Sequence, residues 1–187
     1  MTERKQNRMK GYDYSTPGAY FVTVCAHDRF ENRNIFGEIR HGDIIKNCWA
    51  DIIESCWREL PNHYPHISLD EFVVMPDHIH GIVWINDVGN GMNVGNGFKP
   101  FLTKPFPTGK LNHGLAEIIR GLKTFSSRRI NEINRNEKFQ WQKSFYDHII
   151  RDDKSLVGIR EYIRNNPAKW GLDHDRNESN DILLIIS

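Results

Sequence analysis

The chain has 187 residues, of which 39% are hydrophobic and 26% are charged, and its formal net charge is +1. This composition excludes wholesale disorder and a uniformly basic polycation, and the length suits one domain. No apolar run approaches the roughly 18 residues that span a bilayer, and the polar start lacks the hydrophobic segment of a signal peptide. We therefore expect a single cytoplasmic domain without membrane contact.

The chain opens with a basic arm at residues 1–10 that has almost no apolar side chains. Its cations are Arg4, Lys5, Arg8 and Lys10. This pattern is typical of an arm that neutralises phosphates, and equally of a solvated tail. A turn-rich stretch with Tyr12 and Tyr14 follows. Residues 19–26 are then rich in aromatic and β-branched side chains, which predicts a strand.

A helix and two strands are predicted next. From residue 43 to residue 60 the apolar side chains recur at helical spacing, which predicts an amphipathic helix with Asp43 as its N-cap. Residues 68–75 and 78–85 are apolar runs that predict two strands on either side of a Pro-Asp break. The helix is expected to cover the sheet that these strands form.

Two histidines open the second of these strands. Because side chains alternate faces along a strand, His78 and His80 project to the same side. Neutral imidazole is the commonest metal ligand in proteins, so the pair predicts half of a divalent-metal site. Two histidines can also cap the mouth of a sheet, and the pair alone leaves both interpretations open.

The middle of the chain combines a glycine-rich loop with a basic helix. Residues 86–114 repeat the pattern Val-Gly-Asn-Gly, which predicts a long loop that is a passive insertion or folds over a ligand. Residues 115–135 return to helical spacing. Off its apolar face, and shortly after it, lie the cations Arg120, Lys123, Arg128, Arg129, Arg135, Lys138 and Lys143. This excess of positive charge predicts a surface for a phosphate backbone, with a solvated helix face as the alternative.

A short strand within residues 139–150 leads to the last predicted helix. We expect Asp152 or Asp153 to cap that helix, and its end to fall near Asn166 because Pro167 follows. Tyr162 and Asn166 are four residues apart and so lie together along one edge of its apolar stripe. The tail at 173–187 is polar until a final apolar run, which can add an edge strand to this sheet or to a partner's.

Four blocks of the sequence have a specific order and spacing. They are Gly18-Ala19-Tyr20-Phe21-Val22-Thr23-Val24, Val74-Met75-Pro76-Asp77-His78-Ile79-His80, Trp141-Gln142-Lys143-Ser144-Phe145-Tyr146-Asp147-His148-Ile149-Ile150-Arg151 and Glu161-Tyr162-Ile163-Arg164-Asn165-Asn166-Pro167-Ala168-Lys169. In these blocks, which extend over most of its length, the chain resembles the single-tyrosine HUH transposases of the IS200/IS605 type. Within that family it is similar to the REP-associated tyrosine transposases.

This resemblance implies a fold and a set of site residues. The fold is α+β, with helices packed on a small antiparallel sheet related to the ferredoxin-like architecture. His78 and His80 would be metal ligands, Asn166 stands where relatives present a Gln or Asn ligand, and Tyr162 would be the nucleophile. A mixed nitrogen and oxygen ligand set with open positions suits Mg²⁺ or Mn²⁺ as the cofactor.

The implied substrate is single-stranded DNA near a hairpin, cleaved and rejoined through a 5′-phosphotyrosine. Such attack exchanges one phosphodiester for another, so it requires no ATP. Because free tyrosine has a pKa of about 10, the site must make the attack easier. The resemblance places the protein at the nucleoid. It leaves open a monomer or a homodimer with an exchanged tyrosine helix, and a mobile or a domesticated role.

Further side chains are candidates for DNA contacts. They are Arg4, Lys5, Arg8, Arg120, Lys123, Arg128, Arg129 and Lys143 among the cations, and Tyr12, Tyr14, Tyr146 and His148 among the rings. Tyr146 is the rival nucleophile, since it lies beside Asp147 and His148, but we interpret it as a structural or base-stacking residue. His148 either orients the substrate or is simply packed.

Two other classes of function are alternatives. A non-catalytic nucleic-acid binder could retain the fold, although the intact set of two histidines, Tyr162 and Asn166 argues against it. A zinc hydrolase could use the two histidines. The sequence has no HExxH motif, cysteine pair or nucleophile elbow to support that class.

Overall fold

The structure is a computed structural model that describes residues 11–27, 34–87, 113–134 and 138–170. In these ranges the elements are β1 Gly18–Cys25, β2 Gly37–Arg40, β3 Asp43–Lys46, α1 Cys48–His63, β4 Ile67–Val74, β5 His78–Ile85, α2 Leu115–Ile133, β6 Tyr146–Ile150 and α3 Asp153–Trp170. The predicted arm, most of the glycine-rich segment and the tail lie outside the described residues. No described helix has both the length and the apolar character that a membrane span requires.

The main sheet has the strand order β4-β5-β1-β6, and each neighbouring pair is antiparallel. The hairpin β2–β3 forms a separate two-stranded sheet. Apart from that hairpin, the elements from β1 to β6 follow the order strand-helix-strand-strand-helix-strand, which is the ferredoxin-like motif. The predicted α+β class, an antiparallel sheet with packed helices, is therefore confirmed.

The central strand β1 is buried on both sides, because helices cover both faces of the main sheet. Tyr20, Val22 and Val24 alternate along β1 and pack in the larger core with α1 and α2. Ala19 and Phe21 point the other way and pack against the apolar stripe of α3. We call the second side of the sheet the α3 face.

Gly81 allows α1 to approach the sheet closely. It lies on β5, and its missing side chain leaves room for the ring of Trp57, which stacks on Phe72 with 4.6 Å between ring centroids. A Cβ atom at Gly81 would lie 2.6 Å from two atoms of the Trp57 ring. Carbon atoms that are not bonded do not approach this closely, so any side chain here forces the ring to move.

We expect Gly81→Ala to lower the free energy of unfolding by about 1–3 kcal/mol, because the buried Trp57 ring has little space into which to shift. Denaturant unfolding followed by tryptophan fluorescence measures this loss. Gly114→Ala is a suitable control, since a Cβ atom there meets no atom closer than 3.4 Å. Its expected loss is below about 1 kcal/mol, and equal losses in the two variants would contradict the packing argument.

The predicted start of the first helix is wrong. Asp43 belongs to strand β3, and α1 begins only after Asn47. The Asn47 side-chain oxygen accepts hydrogen bonds from the backbone amides of Trp49 and Ala50 at 3.0 and 3.2 Å, which makes Asn47 the N-cap.

A hairpin turn explains the error. His41 and Gly42, between β2 and β3, have φ values of 54° and 86°, as the central residues of a tight two-residue turn require. Ile44 and Ile45 happen to continue the apolar spacing of α1, so periodicity alone extended the helix across the turn.

Helix α3 extends beyond its predicted end. It continues to Trp170 with Pro167 inside it, because a proline near the C-terminus removes one backbone donor and leaves the preceding turns intact. At its start, Oδ1 of Asp152 accepts a hydrogen bond from the Ser155 amide at 2.8 Å, so Asp152 is the cap.

Candidate active site

The two histidines at the start of β5 lie side by side on the α3 face. His78 is in register with Cys25 of β1, and His80 is in register with Thr23. Thr23 lies two residues from Phe21, so these side chains share the face that α3 covers. The imidazoles of His78 and His80 are 2% and 1% exposed. The strand thus fixes both rings in a water-poor position.

Each imidazole uses its Nδ1 atom within the chain and turns its Nε2 atom towards the other ring. Nδ1 of His78 lies 2.7 Å from Oδ1 of Asp77, and Nδ1 of His80 lies 2.8 Å from Oγ1 of Thr23. Because a carboxylate only accepts, Nδ1 of His78 donates to Asp77. The two Nε2 atoms are 2.9 Å apart.

The environment keeps His80 neutral. Burial, and to a smaller extent the neighbouring His78, hold the pKa of the His80 imidazole well below its ordinary value. A neutral imidazole retains a lone pair that can bind a metal ion.

Tyr162 reaches the histidine pair from α3. Leu156, Ile159 and Ile163 form the buried stripe that holds this helix on the sheet, as the sequence predicts. The Tyr162 hydroxyl lies 3.5 Å from Nε2 of His80. Its ring contacts Phe21 edge to face, with 6.0 Å between centroids. Within one chain, the structure therefore places the predicted nucleophile next to His80, which lies beside the other predicted histidine ligand, His78.

Two more residues of α3 lie on the buried side of the helix. Asn166, one turn after Tyr162, is buried with 7% exposure. The Trp170 ring lies 5.5 Å from the ring of His78, between centroids. Trp170 was not among the predicted site residues, because the helix was predicted to end near Asn166. Continuing the same helical spacing by one turn would have found it.

The histidine pair provides two of the ligands that a metal site would need. Among the described residues, no group of three or more His, Cys, Asp or Glu side chains is arranged to hold a metal ion. Two histidines and the Asn166 amide are the candidate ligands. Metal-binding histidines usually donate their second N–H to a carboxylate or another acceptor, as the Asp77 and Thr23 contacts would allow. The two Nε2 atoms are 2.9 Å apart, close enough to be neighbouring ligands of one ion once both are deprotonated, so the pair fits a divalent metal.

Two cations of the predicted basic surface are bonded within the protein. Nζ of Lys123 donates to the backbone carbonyls of Gln142 and Ser144 at 2.9 and 2.8 Å. Arg129 makes two hydrogen bonds to the carboxylate of Glu59, at 3.1 and 2.6 Å. These contacts join α2 to the segment that precedes β6 and to α1.

Three other cations of that set are more open to solvent. The side chains of Arg120 and Arg128 are 73% and 63% exposed, although each lies near a glutamate of its own helix. Lys143 is exposed in the segment before β6. Because α2 packs on the side of the sheet opposite α3, the structure does not bring the cations of α2 next to the histidine pair.

The ring residues of β6 lie on the α3 face. Tyr146 pairs with Thr23 of β1, and His148 pairs with Phe21 of β1. Thr23 also pairs with His80 of β5, so Tyr146, Thr23 and His80 lie side by side on three neighbouring strands. Tyr146 is 54% exposed. Burial, and then the charge of Arg151, lower the pKa of His148. Tyr146 is thus an open aromatic ring two strands from His80.

Tyr12 and Tyr14 lie against the larger core. Their rings meet edge to face with 5.1 Å between centroids, and the Tyr12 hydroxyl lies 3.3 Å from that of Tyr20. The backbone carbonyl of Tyr14 accepts a hydrogen bond from the Leu115 amide at the start of α2. Both residues therefore help to hold β1 and α2 together, and their contact with DNA stays a prediction.

Comparison with known proteins gives three findings, while no family model matches the chain. An uncharacterized protein of Haemophilus influenzae is 34% identical over 182 residues, which cover 91% of each chain. A proposed REP-associated tyrosine transposase of the same organism is 26% identical over 168 residues, covering 85% of this chain and 75% of the relative. The solved structure of a REP-associated tyrosine transposase bound to a REP hairpin has a TM-score of 0.55 at 18% identity, covers 91% of this chain and 75% of that chain, and shows a shared fold.

Proposed function

We propose, from the premise that this chain belongs to one family with the uncharacterized Haemophilus influenzae protein, that it cleaves and rejoins single-stranded DNA. Its similarity to the proposed REP-associated tyrosine transposase of the same organism supports the transposase class. The observation that carries the finer proposal is the distance of 3.5 Å between the Tyr162 hydroxyl and Nε2 of His80, beside His78. This arrangement supports attack by tyrosine on a phosphate held at the histidine pair.

In the proposed reaction Tyr162 is the nucleophile. Its phenol oxygen forms a bond to the phosphorus, the bond from phosphorus to the 3′ oxygen breaks, and the DNA is left as a 5′-phosphotyrosine with a free 3′ hydroxyl. Rejoining reverses these steps with another 3′ hydroxyl. Because α3 is packed along the sheet, Tyr162 is held in one direction, and in-line attack depends on such positioning.

The proposed metal ligands are His78, His80 and Asn166. Asp77 and Thr23 would keep the two Nδ1 atoms bonded, so that both Nε2 atoms face the site. This mixed nitrogen and oxygen set suits Mg²⁺ or Mn²⁺. When bound, the ion would polarise the scissile phosphate and offset charge on the leaving 3′ oxygen.

The proposed DNA surface has two parts. On the α3 face, two strands from His80, Tyr146 would stack on an unpaired base, with His148 on the same strand and Lys143 in the segment before it. On the other side of the sheet the exposed side chains of Arg120 and Arg128 would contact a duplex backbone. The hairpin in the related solved structure supports a hairpin as the substrate. Lys123 and Arg129, bonded within the protein, would support this surface rather than extend it. Arg4, Lys5 and Arg8 lie outside the described residues.

Trypsin offers a direct test, because it separates the two candidate tyrosines. Cleavage after Arg160 and Arg164 gives a four-residue peptide with Tyr162, whereas Tyr146 falls in the peptide from 144 to 151. The protein is incubated with single-stranded hairpin DNA and Mn²⁺, denatured, digested with nuclease and trypsin, and analysed by mass spectrometry. We expect a nucleotide attached to the Tyr162 peptide. Attachment to the Tyr146 peptide would reassign the nucleophile, and no adduct on a broad set of hairpins would favour a non-catalytic binder.

A further inference from the structure

Arg160 joins α3 to the edge strand β4 through a carboxylate. Its Nε and Nη2 atoms donate to the two oxygens of Asp70, at 2.9 and 2.5 Å. The indole N–H of Trp84 donates to the same carboxylate at 3.0 Å. Burial tends to raise the pKa of Asp70, but the hydrogen bonds from Arg160 and Trp84 outweigh it and lower the pKa. The carboxylate is therefore charged at neutral pH.

Arg164 makes a second contact of the same kind. Its Nε atom donates to Oε1 of Glu71 at 2.9 Å, and its Nη2 atom contacts the same oxygen. The side chain of Glu71 is 27% exposed and that of Arg164 is 58% exposed. The two arginines are four residues apart, so they form neighbouring contacts along one edge of α3.

A β-bulge presents both carboxylates to the helix. The pairing of β4 with β5 shifts register between Leu69 and Phe72, and Asp70 and Glu71 occupy this irregularity. In a regular strand two consecutive side chains point to opposite faces. The bulge removes this constraint, so both carboxylates reach α3. We call these four residues the bulge clamp: Asp70, Glu71, Arg160 and Arg164.

The bulge clamp lies on one flank of α3, and Tyr162 lies on another. Residues two apart on a helix are separated by about 200° around its axis. Contacts of Arg160 and Arg164 on one flank therefore fix how far the helix is rotated, and with it the direction of Tyr162. The apolar stripe sets the distance of the helix from the sheet but resists rotation less, because apolar contacts are not directional.

We propose that the bulge clamp consists of positioning residues, which set the rotation of α3 and so aim the Tyr162 hydroxyl at His80. This inference rests on the proposed function, since aiming matters for a nucleophile. The Arg164–Glu71 pair is open to solvent, and the arginine of the Arg160–Asp70 pair is 34% exposed, so we expect each pair to contribute little to folding stability. A displacement of about 1 Å at a reacting atom can still lower a rate about 100-fold. The clamp should therefore affect the reaction much more than the fold.

The test compares four variants with the wild type in single-turnover adduct formation with hairpin DNA and Mn²⁺. Arg160→Ala combined with Arg164→Ala removes the clamp, and we expect a rate about 10- to 100-fold lower with an unchanged Kd for DNA. Glu71→Arg alone places two arginines opposite each other and should lower the rate. Adding Arg164→Glu restores an ion pair with reversed charges and should return most of the wild-type rate. Arg58→Ala is the matched control, since it removes an exposed arginine paired with Glu54 at 2.7 Å on α1.

A second measurement separates this inference from the proposed function. With Tyr162 replaced by 3-fluorotyrosine, the fluorine NMR signal should shift in the clamp variant and stay in place in Arg58→Ala, without any DNA. A wild-type protein that forms no adduct, together with this shift, would overturn the proposed function and support the positioning role. An unshifted signal, or a clamp variant with the wild-type rate, would overturn the positioning role.

Discussion

Tyr162→Phe is expected to lower covalent adduct formation with hairpin DNA by at least about a thousandfold, because the variant lacks the oxygen that bonds to phosphorus. The Kd for DNA should change little, since the aromatic ring and its edge-to-face contact with Phe21 remain. The free energy of unfolding should change by about 1 kcal/mol or less, the usual contribution of one hydrogen bond. Denaturing electrophoresis of labelled DNA measures the adduct, and fluorescence anisotropy measures the Kd.

Tyr146→Phe provides the matched control. It removes a hydroxyl from the exposed tyrosine of β6, two strands from His80. Adduct formation should stay close to that of the wild type, because the ring that would stack on a base is retained. Adduct that persists in Tyr162→Phe and disappears in Tyr146→Phe would show that the nucleophile has been assigned to the wrong tyrosine.

His80→Gln is expected to have the second largest effect. His80 is the central residue of the candidate site, since its ring atoms lie 2.9 Å from His78, 2.8 Å from Thr23 and 3.5 Å from Tyr162. Loss of one imidazole ligand should weaken Mn²⁺ binding, and we expect at least about a 100-fold decrease in adduct rate. Isothermal titration of the protein with Mn²⁺, in the absence of DNA, measures the binding separately from the reaction.

The control for this variant is His66→Gln. His66 is also buried, at 7% exposure, and its Nε2 atom lies 2.9 Å from the carbonyl oxygen of His113. It lies at the end of the sheet opposite the one that carries His78 and His80. Mn²⁺ binding and adduct rate should match the wild type. If both variants bind Mn²⁺ as the wild type does, the histidine pair holds no metal and the proposed ligand set is wrong.

Local patterns in the sequence predicted several elements well and one poorly. Strand β5 was predicted with its observed ends, because the apolar run after Pro76-Asp77 is bounded on both sides by turn residues. The start of α1 was missed because Ile44 and Ile45 fit a helical period by chance, while two residues with positive φ direct the chain into a hairpin. The spacing of apolar residues alone does not reveal that Ile44 and Ile45 belong to a hairpin strand.

The predicted basic surface shows a different limit. The sequence places Arg120, Lys123, Arg128 and Arg129 off the apolar face of α2, which is correct. It cannot show that Lys123 reaches backbone carbonyls near β6, or that Arg129 is bonded to Glu59 of α1. Long charged side chains extend far enough to find partners on other elements, and those partners are set by packing.

The sequence by itself determined that His78 and His80 share one side of a strand, and that Tyr162 and Asn166 lie one turn apart on a helix, because both follow from fixed backbone periods. Only the tertiary structure decided that the helix covers that same side. The reason is burial: Leu156, Ile159 and Ile163 can leave water only against the apolar surface of Phe21 and Ile82. That contact brings residues 82 positions apart to within 3.5 Å.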